Sequence, residues 1–205
     1  MTGAQDHERL VEWGAAAAAL EDESGDLHVI APYPGGVLVA VIDGLGHGPE
    51  AAAAAREAAW ILEARAAESV VALVQRCHEG LRKTRGAVMS LASFDSRTSS
   101  VSWAGVGNVE GILLRAAPDS RPGREAVALR GGVVGYQLPP LRAWALPVSP
   151  GDTLVMATDG LRGEFIDCLA IQGSPQEMAE SLLARYARGS DDALVVVARY
   201  LGATP

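Results

Sequence analysis

Four aspartates stand where apolar runs begin or end. Asp26 precedes L-H-V-I, Asp43 follows V-L-V-A-V-I, Asp159 follows T-L-V-M-A-T, and Asp191 with Asp192 leads into A-L-V-V-V-A. Any one of them reads as a turn former, because Asp is at home in turns. Their joint occurrence says more. If the strands converge, the carboxylates repel one another unless a hard cation sits among them, and all-oxygen donors suit Mg²⁺ or Mn²⁺. Asp43 and Asp159 are each followed by glycine, Gly44 and Gly160, the residue that lets a backbone carbonyl come close to an ion.

The elements that must position these acids follow from periodicity and punctuation. Val37 to Ile42 is a buried strand with Asp43 at its rigid tip. Leu27 to Ala31 pairs with it across the turn P-Y-P-G-G as a hairpin. Pro49 and Glu50 open a helix over 50 to 66, and Val70, Val71, Val74, Cys77 and Leu81 predict a second over 68 to 83. A-V-M-S-L-A-S-F, S-S-V-S-W-A-G-V and N-V-E-G-I-L-L-R, divided by D-S-R-T and G-V-G-N, read as a meander. Residues 117 to 125 form an exposed turn, followed by a strand at 153 to 158, a helix over 174 to 187 and a strand at 193 to 201. Ala15 to Leu20 favours helix by propensity but sits between Trp13-Gly14 and an acidic turn, so helix and strand both stay open there. Strands bracketing helices without strict alternation point to an α+β fold of antiparallel sheets covered by helices.

With 205 residues, 49% of them hydrophobic, the chain is expected to form a single domain over 1–205. A net charge of −8 argues against nucleic acid and against an anionic membrane surface, leaving a protein or a cation as the charged partner. Cys77 and Cys168 have no ligand-like spacing and read as thiols of a reducing compartment. The N-terminus M-T-G-A-Q-D-H-E-R carries acids and no apolar core, so no secretory signal is expected, and no run reaches spanning length. These features place the protein in the cytoplasm.

Taken in order, S-G-D at 24 to 26, V-I-D-G-L-G-H-G at 41 to 48, A-T-D-G at 157 to 160 and D-D-A-L-V-V-V at 191 to 197 resemble the metal-dependent serine/threonine protein phosphatases of type 2C, in their SpoIIE-like branch. Within that branch, A-G-V-G-N-V-E at 104 to 110 and G-G-V-V-G-Y-Q-L-P at 131 to 139 are similar to the stressosome phosphatases. Whether these two stretches reach substrate or only turn the chain is left open. The resemblance implies a β-sandwich of two antiparallel sheets flanked by helices, and a dinuclear Mn²⁺ or Mg²⁺ centre at one end. Asp43 would bridge both ions, Asp26 and the Gly44 carbonyl would serve one, and Asp159 and Asp191 the other. Asp43, Asp159 and Asp191 are the implied catalytic residues, while Asp192 orients its neighbour or caps a turn. The implied substrates are phosphorylated stressosome-type scaffold or regulator proteins, with no substrate-binding residue assigned.

An activated water would attack phosphorus in line. Ser24 lacks the setting of a nucleophile elbow and neither cysteine that of a phosphatase thiolate, so no covalent intermediate is expected. The chain departs from better-known members in two places. Leu45 stands where they carry a histidine, and the arginine ahead of the first acidic motif is absent, since 21 to 24 read E-D-E-S. His47 is assigned a local hydrogen bond that shapes the turn, not that histidine's role. A catalytically silent module that binds phosphorylated partners is the alternative, disfavoured because all four acids are retained. A nucleotide-binding loop at G-L-G-H-G is disfavoured because a phosphate cradle wants backbone N–H groups and a Lys, not an acid at its entrance. The catalytic pattern occupies nearly the whole sequence, so control by a second domain within it is not expected.

Overall fold

The computed structural model describes residues 10–117 and 119–202. The N-terminal stretch M-T-G-A-Q-D-H-E-R and Pro118 of the 117 to 125 turn lie outside them. In chain order the elements are β1 (Val11–Ala18), β2 (Asp26–Tyr33), β3 (Gly36–Gly44), α1 (Pro49–Ala64), α2 (Val70–Gly80), β4 (Ala87–Asp95), β5 (Ser100–Val106), β6 (Glu110–Leu114), β7 (Arg124–Ala126), β8 (Trp144–Pro147), β9 (Thr153–Ala157), α3 (Pro175–Tyr186) and β10 (Ala193–Tyr200). Short 3₁₀ turns at Leu81–Lys83 and Gly163–Cys168 complete them. Two five-stranded antiparallel sheets result, ordered β1-β10-β9-β6-β7 and β2-β3-β4-β5-β8.

Three apolar layers hold the sheets and helices together. Between the sheets lie Val39, Val41, Phe94, Trp103, Leu113, Met156, Val196 and Tyr200. Residues of the opposite parity, Leu38, Ala40 and Ile42, face α1 and α2, and Val155, Val195 and Val197 face α3. Both faces of the central strands are therefore buried, which is why they read as unbroken apolar runs instead of alternating ones. Among the described residues, no helix is long and apolar enough to cross a membrane.

Ala15 to Ala18 are strand: β1 pairs residue by residue with β10 from Val11↔Tyr200 to Ala18↔Ala193. Helix propensity loses here because tertiary pairing outweighs tenths of a kcal/mol per residue. The Gln176 side chain of α3 secures this edge, accepting from Ala15 N at 3.1 Å and donating to Ala15 O at 3.1 Å. Both helices expected after the hairpin are present, as α1 and as α2 with its 3₁₀ extension. Ser69 caps α2, and Ser174 and Glu177 form a capping box on α3.

The meander expectation is corrected at its third strand. β4 and β5 pair, but β6 lies in the other sheet, between β9 and β7. At G-V-G-N the chain crosses from one sheet to the other: Gly107 adopts φ 97° and donates its N–H to Arg130 O at 2.8 Å, and Val109 is buried beyond it. The 117 to 125 turn connects β6 to the three-residue β7, and β8 was not foreseen from sequence.

Trp103 ties the two layers. Its indole N–H donates to Ser90 Oγ at 2.9 Å inside the sandwich, and its ring lies so close to Gly111 in the opposite sheet that a Cβ there would overlap it. Gly111→Ala should therefore destabilise the protein by about 3 kcal/mol, the upper range for overpacking a filled core. A lowered urea midpoint with an unchanged slope checks this; an unchanged midpoint would refute the contact.

Candidate active site

Strand register brings the first two acids together. Asp26 opens β2 and is the cross-strand partner of Asp43, the penultimate residue of β3. From the other sheet, β9 runs through Thr158 into Asp159, and Asp191-Asp192 leads into β10 beside it, with Thr158 N–H donating to Leu194 O at 3.1 Å. Asp43, Asp159 and Asp191 line one cleft with Leu45, Gly46, His47, Val88, Gly107, Asn108, Gly131 and Gly132. Its volume is about 480 Å³. Asp26 lies behind it, buried.

Hydrogen bonds lace the two sheets at this end. Thr158 Oγ1 donates to Asp26 Oδ2 at 2.7 Å and accepts from Leu194 N at 2.9 Å. Asp192 is buried and uses both carboxylate oxygens on backbone amides, Oδ1 accepting from Leu20 N at 2.7 Å and Oδ2 from Gly25 N at 2.6 Å. It thus ties down the turn that delivers Asp26. Asp192 N donates in turn to Asp191 Oδ1 at 2.9 Å. Sequence reasoning missed one partner: Asn108 Nδ2 donates to Asp159 Oδ2 at 2.6 Å, a pairing invisible until the sheet crossing at G-V-G-N is known.

The glycines that follow the acids have a packing cause. A Cβ on Gly44 would overlap the Ala51 carbonyl of α1, and one on Gly160 the Asp192 carbonyl. The alanine run of α1 serves the same closeness: Ala51, Ala52, Ala54, Ala55 and Ala58 are its buried face. Gly25, also without a side chain, keeps space beside the Gly44 carbonyl, which would lie 3.2 Å from a Cβ at that position.

Burial, reinforced by the neighbouring carboxylates, raises the Asp43 carboxyl to about 8. Burial likewise raises Asp26 to about 7, although the Thr158 hydroxyl favours its ionised form and so lowers it, while Asp192, Asp159 and Asp191 push it up. Such a cluster gains from a cation. The donor set, carboxylates and a carbonyl, suits a hard divalent ion. Among the described residues no three His, Cys, Asp or Glu side chains are gathered as a ready-made cage.

His47 lies on the cleft lip with Nδ1 2.7 Å from Glu21 Oε1, both exposed, a contact that reaches to the segment ahead of β2 and not within its own turn. Leu45 is 42% exposed at the lip. Segments 104 to 110 and 131 to 139 both reach the cleft, through Gly107 and Asn108 and through Gly131 and Gly132, whereas Gly135 turns the chain against Leu81.

Two face-packed antiparallel sheets, a helical layer on each side and an acid-lined cleft at one end define a phosphatase of type 2C architecture. The chain belongs to the family of Stage II sporulation protein E (SpoIIE), among the type 2C protein-serine/threonine phosphatases; the family pattern matches residues 33–201. It is 25% identical over 162 residues to the phosphoserine phosphatase RsbX of Bacillus subtilis strain 168, covering 78% of this chain and 79% of that one. A chain solved in work on the bacterial stressosome as a modular system adapted to control secondary messenger signaling is 32% identical, with a TM-score of 0.83 over 92% of this chain and 99% of its own. RsbX in complex with magnesium shares the fold, with a TM-score of 0.81 at 21% identity over 93% and 95% of the two chains.

The raised carboxyls make a pH prediction for metal-free protein. Asp26 and Asp43 bind protons more tightly folded, at about 7 and about 8, than at the ordinary 3.8. Stability should therefore fall as pH rises from about 4 to about 8, because the native state holds the extra protons in that window. Thermal melts in chelator at pH 5 and pH 8.5 check it, and Asp43→Asn should flatten the slope. A melting temperature that rises across this interval would contradict the clustering.

Proposed function

We propose that residues 1–205 form one phosphatase domain that hydrolyses phosphoserine or phosphothreonine on stressosome-type scaffold or regulator proteins, with two Mg²⁺ or Mn²⁺ ions. The observation that carries this reading is the meeting of Asp43, Asp159 and Asp191, from both sheets, in one cleft above buried Asp26. The similarity to the phosphoserine phosphatase RsbX supports the substrate class, and the stressosome chain supports the partner class. The solved complex of RsbX with magnesium supports the ion.

Asp26, Asp43, the Gly44 carbonyl, Asp159 and Asp191 would hold the ions. When bound, divalent ions supply a nucleophilic water near neutral pH and neutralise charge on the phosphoryl oxygens. The chain's own groups do the positioning. Asn108 fixes the Asp159 carboxylate through its amide, Thr158 fixes Asp26, and Asp192 holds the 20 to 25 turn. The lip residues Leu45, Gly46 and His47 bound the cleft from the side of α1. His47 keeps the turn-shaping role assigned to it, and proton delivery to the leaving serine oxygen is assigned to water.

Phosphate release from a phosphoserine protein, with Mn²⁺, with Mg²⁺ and with chelator, tests the reading directly. Activity abolished by chelator and restored by either ion is expected; metal-independent turnover would overturn it.

Asp43→Asn and Asp159→Asn should each lower kcat at saturating Mn²⁺ by at least about 10²-fold with an unchanged circular dichroism spectrum, since each removes a ligand charge at nearly constant volume. His47→Ala should cost less than about tenfold, below the 10²–10⁴ of a general acid. A loss of general-acid size in His47→Ala, at unaltered metal affinity, would reverse the assignment of that residue.

A further inference from the structure

We propose that the basic turn 82–85, together with Tyr136, is a docking platform for acidic residues flanking the phosphorylated serine or threonine of the substrate protein. This rests on the phosphatase reading above and specifies the sequence that the cleft receives.

The platform is anchored to the acid cleft by backbone. In L-R-K-T-R-G at 81 to 86, Leu81 is buried and Arg82 through Arg85 are exposed. Gly86 O accepts from Leu45 N at 3.0 Å, which fixes the turn two residues from Asp43. Arg85 pairs with Glu50 at the start of α1, and its guanidinium stands where a Cβ on Gly46 would meet it at 2.9 Å. Gly46 lines the cleft.

Tyr136 extends the same surface. Gly131 and Gly132 line the cleft, and the chain then bridges Ala87 through Val134, with N···O distances of 3.0 and 2.8 Å, before turning at Gly135, whose N–H donates to His78 Nδ1 at 3.0 Å. This turn rests on Leu81 and lifts Tyr136 to 83% exposure. Cleft wall, tyrosine and basic turn are thus linked through shared backbone bonds, the Ala87–Val134 bridge and the packing of Gly135 on Leu81. A rigid, amphipathic, exposed tyrosine is a low-entropy contact for a peptide.

Charge selects the occupant. In a chain of net charge −8, Arg82, Lys83 and Arg85 put three cations into four residues, and Lys83 is the sole lysine. Among the described residues Arg82 and Lys83 make no ion pair, as is true also of Arg130, Arg142 and Arg188, while Arg85 is paired with Glu50. Across the lip the sign reverses: His47 leans on Glu21, followed by exposed Asp22 and Glu23. Acidic flanks of a bound phosphopeptide would be repelled by that side and by the cleft carboxylates, and attracted by the basic turn at 82–85. Complementary patches of this kind set register and specificity more than raw affinity.

The test uses the full chain and the double variant Arg82→Glu/Lys83→Glu. Three substrates are compared: p-nitrophenyl phosphate, a phosphoserine peptide with acidic flanks, and the same peptide with neutral flanks. At low salt, kcat/KM for the acidic peptide should fall about tenfold relative to p-nitrophenyl phosphate, through KM, and the difference should fade near 0.5 M salt, where the Debye length is only a few ångströms. Tyr136→Ala should weaken both peptides. Equal losses on acidic and neutral flanks, no loss, or preferential binding of a single-stranded oligonucleotide would overturn the platform. Fluorescence anisotropy of the labelled acidic peptide with chelated protein separates the two readings. Flank-dependent binding without any turnover by wild type would sink the phosphatase reading and keep the platform; turnover without flank dependence would do the reverse.

Discussion

Like charge held at short range is the constraint on which this fold turns. The cleft end of the sandwich gathers carboxylates that would separate if the backbone allowed it, and the backbone does not. Thr158 accepts from one strand while donating to Asp26 across the gap between the sheets. Asp192 spends its whole carboxylate on Leu20 and Gly25 amides. The buried, hydrogen-bonded acid is therefore the one that serves structure, and it frees its exposed neighbour Asp191 for the cleft. Protons shared among Asp26 and Asp43, or a cation in their place, are the two ways this end can be relieved.

Closeness on the other axis comes from the smallest side chains. β3 meets α1 at Gly44 and Ala51, and the 159–160 turn meets the start of β10 at Gly160 and Asp192. An alanine-faced helix can approach a sheet more nearly than a leucine-faced one, and the lip of the cleft inherits that proximity. The alanine run after Pro49 is thus a spacing device for the Asp43 loop as much as a helix-forming sequence.

The four acids were legible because each borders an apolar run long enough to be a strand with both faces covered, and the register of β2 on β3 then follows from the P-Y-P-G-G hairpin. What sheet each strand would join was not legible. A glycine with positive φ followed by asparagine serves a hairpin and a sheet crossing equally well, so G-V-G-N gave no sign that β6 leaves the β4-β5 sheet. Asn108 could not be connected to Asp159 without that crossing. The strand at Ala15 to Ala18 depends on β10, some 180 residues away in sequence, and a local reading of alanine carries no information about it. Asp192 illustrates the opposite case: its sequence position announced a structural role, but only the two amide partners show that the role is to seat Asp26.

The close fit of Trp103 against Gly111 has an optical consequence. Of the four tryptophans, Trp103 is 1% exposed and Trp60 is 66% exposed on α1. The inter-sheet indole sits in a dry setting bonded to a single hydroxyl, so its emission belongs at shorter wavelength than that of Trp60. Any event that parts the sheets must wet it. The molecule thereby carries an intrinsic fluorophore that registers separation of its two sheets, and a second on the helical layer to serve as an internal reference.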